Sequence, residues 1–116
     1  MAIIRITDLT LKAIIGIHDW ERVTKQTIII NATIVYNARK AIATDKIKHA
    51  LDYKSITKEI IALVKDSRFQ LLETLTHSIL RITMSRKAVK HATVRVDKPR
   101  ALRFAKSVSI ELSAKR

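Results

Sequence analysis

The sequence predicts a single α+β domain of the order ββααββ, in which an antiparallel sheet carries both helices on one face. Two segments at each end of the chain alternate apolar and polar residues, as strands with one buried face do. Two segments between them repeat apolar residues at helical spacing. A chain of 116 residues can bury one core but not two, so we assign residues 1–116 to one domain.

The first two strands are predicted at residues 3–12 and 26–36. The apolar positions of the first strand change phase around Thr7-Asp8, which indicates a β-bulge. The second strand is rich in β-branched residues, and these favour a pleated, half-buried surface. Its predicted buried face consists of Ile28, Ile30, Ala32 and Ile34. We expect the two strands to form an antiparallel pair.

The middle of the chain is predicted to be helical. Residues 37–52 carry the weakest pattern, with a short helix expected at residues 45–50. An apolar stripe from Ser55 to about Lys65 predicts the first main helix, and Ser67 is a candidate for its end. A second stripe predicts a helix over residues 70–86.

The last two strands are predicted around residues 92–96 and 107–113. The earlier of them runs into Lys98 and Pro99, the only proline of the chain. Proline cannot donate to a sheet ladder, so the strand should end there and present Lys98 at a stiff strand end. We expect strands 28–34 and 107–113 to be the edges of the sheet, and exposed edges invite pairing with another chain.

The net charge of +13 has three interpretations: a nucleic-acid partner, an anionic small substrate, or a general property of the source proteome. Aromatic residues make up only 4%, which argues against base stacking on single strands. The basic residues are scattered, apart from a denser group near the C-terminus: Arg100, Arg103, Lys106, Lys115 and Arg116.

The residue types that are present and absent limit the possible chemistry and the expected cellular compartment. The absence of cysteine excludes disulfides, thiolate catalysis and cysteine-based zinc sites. The histidines do not have a metal-ligand spacing: His18, His49, His77 and His91. We therefore expect no metal. No apolar run approaches the length of a membrane span, and no segment resembles a signal peptide, so a cytoplasmic location is expected.

Four segments contain candidate functional residues. Glu73 is predicted in the first turn of a helix, where the helix dipole favours a carboxylate, and Tyr53 is predicted just before the other helix. Glu21 lies in a polar connection with the only tryptophan, and Lys98 lies at the strand end. Each residue also has a purely structural interpretation, as a first-turn acid, a surface ring, a packed turn or a solvated lysine.

Together, these segments resemble the dihydroneopterin aldolase family over essentially the whole chain. They occur in the family's order and spacing: Gly16-Ile17-His18-Asp19-Trp20-Glu21, Leu51-Asp52-Tyr53, Leu71-Leu72-Glu73 and Val96-Asp97-Lys98-Pro99. Residues 68–73 and 97–109 are most similar to the dihydroneopterin triphosphate 2′-epimerase branch, whereas Asp19-Trp20-Glu21 is more similar to the aldolases. The resemblance implies the tunnelling fold, with subunit sheets joined into a barrel and rings stacked into a homo-octamer.

The resemblance also implies roles for the candidate residues. Glu73, with Leu72 beside it, would bind the 2-amino and N3–H edge of a pterin. Lys98 and an ordered water would carry protons between the substrate hydroxyl and N5. Tyr53 would place the ring and the protons at C6, and Glu21 would hold the polyol side chain or the water. No cofactor is implied, because the pterin ring is itself the electron sink.

Two outcomes of this retro-aldol chemistry remain open. If the two-carbon fragment leaves, the protein is an aldolase of folate biosynthesis. If the fragment rotates and adds again, the product is the 2′-epimer, and Arg100 and Arg103 favour this triphosphate-linked branch. Alternatives of another class are a basic nucleic-acid-binding protein and a non-catalytic assembly protein of the same fold.

Overall fold

Five strands form one sheet in the order β3-β1-β2-β4-β5 in the computed structural model, which describes all 116 residues. The strands are β1 (Ala2–Ile15), β2 (Gln26–Tyr36), β3 (Arg68–Phe69), β4 (Val89–Pro99) and β5 (Ser107–Lys115). All neighbouring pairs are antiparallel except β1 and β3, which are parallel. The four long strands confirm the predicted ββααββ order, and the two-residue β3 is an addition to it.

The predicted bulge is present in β1. The register between β1 and β2 shifts between Ile6 and Leu9. Asp8 has a φ of 55°, a left-handed conformation that Asp tolerates better than most residues. Asn31 on β2 holds the bulge, because its Oδ1 accepts from the Asp8 N–H at 3.0 Å and its Nδ2 donates to Asp8 Oδ1 at 3.1 Å. The bulge keeps the apolar residues on both sides of it facing the core.

The prediction that strand 28–34 is a sheet edge is wrong. β2 lies between β1 and β4, and it pairs with both along most of its length. The core-facing residues of β2 are buried completely or almost so, which suits a central strand. The edges are instead β5, as predicted, and β1, whose outer side is paired only at Ile14 and Ile15.

Two long helices cover one face of the sheet, α2 (Tyr53–Asp66) and α3 (Leu72–Met84). Asp52 begins α2 by accepting the Ser55 N–H at 2.9 Å, and Ser67 ends it as predicted. The short helix predicted at residues 45–50 is replaced by α1 (Arg39–Thr44) and a 3₁₀ turn (Ile47–His49). Asp45 is in the left-handed conformation, which terminates α1.

The core lies between the sheet and these helices. Ile56 and Ile60 of α2 and Leu75 and Ile79 of α3 are fully buried in the same cluster as the inner residues of β2 and β4. The opposite face of the sheet carries no helix, and polar pairs such as Thr93 with Ser113 cross it. No helix is both long enough and apolar enough to cross a membrane.

Candidate active site

Lys98 lies at the end of β4, on the face that packs the core. Val96, two residues earlier on the same face, is fully buried, whereas Lys98 has passed the edge of the core and its side chain is 15% exposed. The strand ends at Pro99, as predicted, and Lys98 remains paired with Val108 of β5. The lysine is therefore held on a fixed backbone.

Glu21 meets Lys98 directly. It lies in a 3₁₀ turn (Asp19–Arg22) between β1 and β2, and the residue is only 5% exposed. Its Oε2 accepts from Lys98 Nζ at 2.6 Å and from Gln26 Nε2 at 3.3 Å, and its Oε1 accepts the His18 N–H at 3.1 Å. Both carboxylate oxygens thus have donors, as a buried charge requires.

The environment of Glu21 keeps it ionised. Burial of the carboxylate acts to raise its pKa, because it disfavours the charged form. The hydrogen bond from Lys98, the His18 N–H, the Gln26 amide and the charge of Lys98 together outweigh burial and lower the pKa from 4.5 to about 2. The pair is therefore an anion bound to an amine at the edge of the core.

Gly16 makes room for this carboxylate. It is the only glycine of the chain and has a φ of 128°, which L side chains rarely adopt. A Cβ at this position would overlap the carboxylate of Glu21. The position therefore requires glycine both for its backbone conformation and for the space that Glu21 fills.

Arg22 links the 3₁₀ turn that contains Glu21 to the segment just before α3. Its Nη1 donates to the carbonyls of Gly16 at 3.0 Å and Phe69 at 3.1 Å, and its Nη2 donates to the carbonyl of Arg68 at 2.5 Å. Arg68 returns a hydrogen bond to the carbonyl of Arg22 at 2.6 Å. These contacts explain why β3 exists although it has only two residues, and they connect the turn to the segment preceding Glu73.

The ion pair lines a pocket of about 540 Å³. Glu21 is the only carboxylate in its wall, and Leu71 and Leu72 of the predicted pterin-binding segment Leu71-Leu72-Glu73 also line it. The other lining residues are Gly16, Ile17, His18, Trp20, Gln26, Gln70, Lys98, Arg100 and Ala101. An acid–base pair beside a mixed polar and apolar cavity suits proton transfer to a bound small molecule.

The structure does not bring Tyr53 and Glu73 into this pocket. Tyr53 is 52% exposed and lines a separate cavity of about 400 Å³ with Leu51. Glu73 is exposed in the first turn of α3, next to Leu72. In this chain, Lys98, Glu21 and Leu72 therefore lie together, while Tyr53 lies apart from them.

A third cavity, of about 600 Å³, lies between the N-terminus and α1. Its lining residues are Met1, Ala2, Asn37, Ala38, Arg39, Ile42 and Ala43. It holds no carboxylate or histidine beside its arginine, so it offers no acid–base pair.

The sequence did not identify Gln26 and Arg22 as residues of the site. It also did not show that position 16 requires a glycine. A signal was available for Gly16, since a lone glycine at a strand end commonly marks a positive φ. The signals for Gln26 and Arg22 are absent from the sequence, because their partners are distant backbone carbonyls and a buried carboxylate.

Comparison with known proteins gives consistent results. The sequence profile described as dihydroneopterin aldolase matches residues 4–113. The chain is 51% identical to a Pseudomonas aeruginosa dihydroneopterin triphosphate 2′-epimerase, covering 100% of this chain and 94% of the relative. It is 47% identical to the Escherichia coli K12 protein of the same name, covering 99% and 96%. Identity to a Haemophilus influenzae dihydroneopterin aldolase is 28%, covering 90% and 89%.

The fold is also shared with solved structures. Escherichia coli dihydroneopterin aldolase in complex with neopterin superposes with a TM-score of 0.92. The match covers 98% of this chain and 99% of that one, at 24% identity. This likeness concerns the fold and confirms the predicted α+β class.

Proposed function

This chain belongs to the dihydroneopterin aldolase family, and we propose that it performs metal-independent retro-aldol chemistry on 7,8-dihydroneopterin or its triphosphate. The reaction gives the 2′-epimer, or 6-hydroxymethyl-7,8-dihydropterin and glycolaldehyde, or both. The single observation that carries the proposal is the Lys98–Glu21 pair in the wall of the pocket. It supplies a fixed amine where proton transfers are needed.

The chemical step needs one proton to be removed and one to be delivered. As the C1′–C2′ bond breaks, an ordered water held by the Lys98 ammonium takes the proton of the 2′-hydroxyl, while the ammonium gives a proton toward N5 and regains one from the water. The released electron pair enters the conjugated C6=N5 bond of the pterin, and the proton is delivered to N5. Glu21 positions the amine through its 2.6 Å contact, and its other donors prevent it from turning away.

Recognition of the pterin falls to the start of α3 and to Tyr53. The carboxylate of Glu73 matches the paired donors of the 2-amino and N3–H groups. Leu72 lines the pocket beside it and offers an apolar surface to the ring. Tyr53 is assigned to placing the ring and assisting protonation at C6.

We further propose that the active site is completed between subunits of a homo-octamer. Support comes from the free outer edges of β1 and β5, which can each accept another strand. It also comes from Tyr53, a half-exposed aromatic residue in a cavity away from Lys98. A neighbouring subunit would then supply the Tyr53 that this pocket lacks, and a monomer by light scattering at micromolar concentration would contradict the shared site.

The epimerase branch is favoured over a dedicated aldolase. Identity is 47–51% to the proteins named epimerases and 28% to the aldolase. Both outcomes share the bond-breaking step, so the site described above serves either. The absence of cysteine suits a reducing compartment, and we place the enzyme in the cytoplasm.

The test is to incubate the purified protein separately with 7,8-dihydroneopterin and with its triphosphate, and to separate the products by chromatography. We expect the 2′-epimer in at least one incubation, with or without the cleavage products. Formation of neither product, together with salt-sensitive binding to a nonspecific DNA duplex, would instead support a nucleic-acid-binding protein.

A further inference from the structure

Arg22 is a partly buried cation that forms no ion pair. Its guanidinium instead donates three hydrogen bonds to backbone carbonyls, one of Gly16 and two of the segment Arg68–Phe69. A guanidinium holds its donors in a rigid planar fork, which suits several acceptors at once. The acceptors belong to two separate parts of the chain, so this one side chain holds the end of β1 against β3.

The first of these two parts carries the groups that transfer protons. Gly16 leaves the space that the Glu21 carboxylate fills, and this carboxylate binds the Lys98 amine at 2.6 Å. Arg22 follows Glu21 in the same 3₁₀ turn but does not line the pocket. Its contacts therefore act on the arrangement of the pocket wall and not on a bound ligand.

The second part leads into the start of α3, to which we assign pterin binding. This helix end has few anchors of its own, because Leu71 precedes it and no side-chain hydrogen bond caps it. β3, just before it, pairs with β1 over two residues only. The carbonyl of Phe69 accepts both the Gly16 N–H at 3.2 Å and Arg22 Nη1 at 3.1 Å. Arg22 thus supplements a very short strand pairing in fixing where α3 begins.

We propose that Arg22 is a positioning residue, which sets the distance between the bond that reacts and the Lys98 amine by holding the start of α3 against the turn of Glu21. The inference rests on the proposed function and adds to it a residue that touches neither the substrate nor the amine. One part of the site binds the ring and the other moves the protons, so the rate requires both to be aligned. A misplacement of about 1 Å can lower a rate about 10²-fold even when the reacting groups are all present.

The test measures two quantities for Arg22→Gln, namely kcat/KM and the Kd of 6-hydroxymethyl-7,8-dihydropterin. This product lacks the two-carbon fragment and so reports on ring binding alone. We expect kcat/KM to fall about 10–100-fold while the Kd changes less than about threefold, because each part of the site stays intact and only their alignment is lost. Lys25→Gln is the matched control, since it removes the same charge from an exposed position in the same connection, and both quantities should keep the parent's values.

Arg22→Lys separates the shape of the side chain from its charge. Lysine keeps the charge, but its single ammonium does not bridge carbonyls of two segments as a guanidinium fork does. We expect its kcat/KM to lie within about threefold of the value for Arg22→Gln, again with a parent-like Kd. Recovery of the parent's kcat/KM would show that the charge suffices and would overturn the proposal. If Arg22→Gln does not assemble by light scattering, Arg22→Lys carries the comparison with the parent.

A double-variant cycle tests whether Arg22 acts through Lys98. In the Lys98→Ala background, the effect of Arg22→Gln on the rate should shrink to less than about threefold, because there is no longer an amine to align. A full 10–100-fold effect in that background would contradict the proposal.

Two further outcomes would overturn the inference. A lower Tm with unchanged kcat/KM would give Arg22 a purely structural role, and equal losses in kcat/KM and in product affinity would assign it to ring binding. Either result, in a parent that turns over substrate, leaves the proposed function standing. A parent that turns over neither dihydroneopterin nor its triphosphate refutes the proposed function, and this inference with it.

Discussion

The two ends of β4 hold their cationic side chains in different ways. At its beginning, Arg86 binds Ser55 and Glu59, and Arg116 donates to the carbonyl of Val89 at 3.0 Å. At its end, Lys98 is paired inside a pocket and the cations of loop 100–106 have no acidic partner. One end uses positive charge to connect elements of the fold, and the other leaves it available to a ligand.

This difference shows that the net charge of the chain combines two groups of basic residues, one that stabilises the fold and one that is available to a ligand. The value of +13 gave no indication of which basic residues stabilise the fold and which serve a site. Satisfied hydrogen bonds identify the first group, and unpaired cations beside a cavity identify the second. Substitutions at the two ends should therefore have separable effects on stability and on activity.

The largest expected effect is on the chemical step. Lys98→Ala should lower single-turnover rates about 10²–10⁴-fold, as expected for a lost general acid–base group, while pterin binding is largely retained. Epimerisation and cleavage should fall together, because both require the same bond to break. Lys87→Ala is the control, since that lysine is exposed at the other end of β4. Unchanged rates would remove Lys98 from the mechanism.

A similarly large effect is expected on recognition. Glu73→Ala should abolish measurable binding of a product pterin, because the paired donors at the edge of the ring lose the carboxylate that accepts from them. Fluorescence titration measures the loss, with Glu111→Ala as the matched carboxylate control on the helix-free face. If the variant binds the pterin as tightly as the parent, Glu73 does not bind the pterin and only begins helix α3.

A smaller effect is expected at the structural end of β4. Arg86→Ala removes contacts to Ser55 and Glu59 that tie α2 to the end of α3. Because the Glu59 side chain is 52% exposed, we expect a loss of only about 1–2 kcal/mol in the free energy of unfolding. Thermal denaturation should show a lower Tm, while kcat/KM below the transition stays at the parent's value. A fall in kcat/KM with no change in Tm would contradict the view that the beginning of β4 serves stability and its end serves the site.

The last expected effect is a dependence of stability on pH. The pKa of Glu21 is lower in the folded protein, about 2 against 4.5, so its stabilisation is complete above pH 4.5 and is lost as the pH falls toward 2. The difference in free energy of unfolding between the parent and Glu21→Gln should therefore be greatest near neutral pH and shrink toward pH 2. Chemical denaturation at a series of pH values measures it, and parallel curves would mean that the pair does not stabilise the fold.

Sequence periodicity predicted the regular elements well because burial and local pattern agree in them. β2 was placed at 26–36, and the slip at Thr7-Asp8 located the bulge. β3 could not be found from periodicity, because two residues carry none and their pairing depends on Arg22. α1 was misplaced because its apolar Ile42 is 80% exposed and so forms no buried stripe.

The site was predicted less completely than the fold. The resemblance placed Lys98 and Glu21 in one site, and the structure brings them into contact. It did not predict that both oxygens of Glu21 are held by protein donors, which arises from the 3₁₀ turn and from Gln26. The roles of Tyr53 and Glu73 stay predictions, since the pocket of Lys98 includes neither of them.

The bulge in β1 also affects which strands could add to the outer edge of the sheet. A long, regular outer edge would accept further strands without limit, and identical chains could then add end upon end. Asp8, with its φ of 55°, interrupts that edge and places a carboxylate on it. The local irregularity that keeps the core residues in phase thus also acts against open-ended aggregation, and it restricts the edge to partners of matching shape.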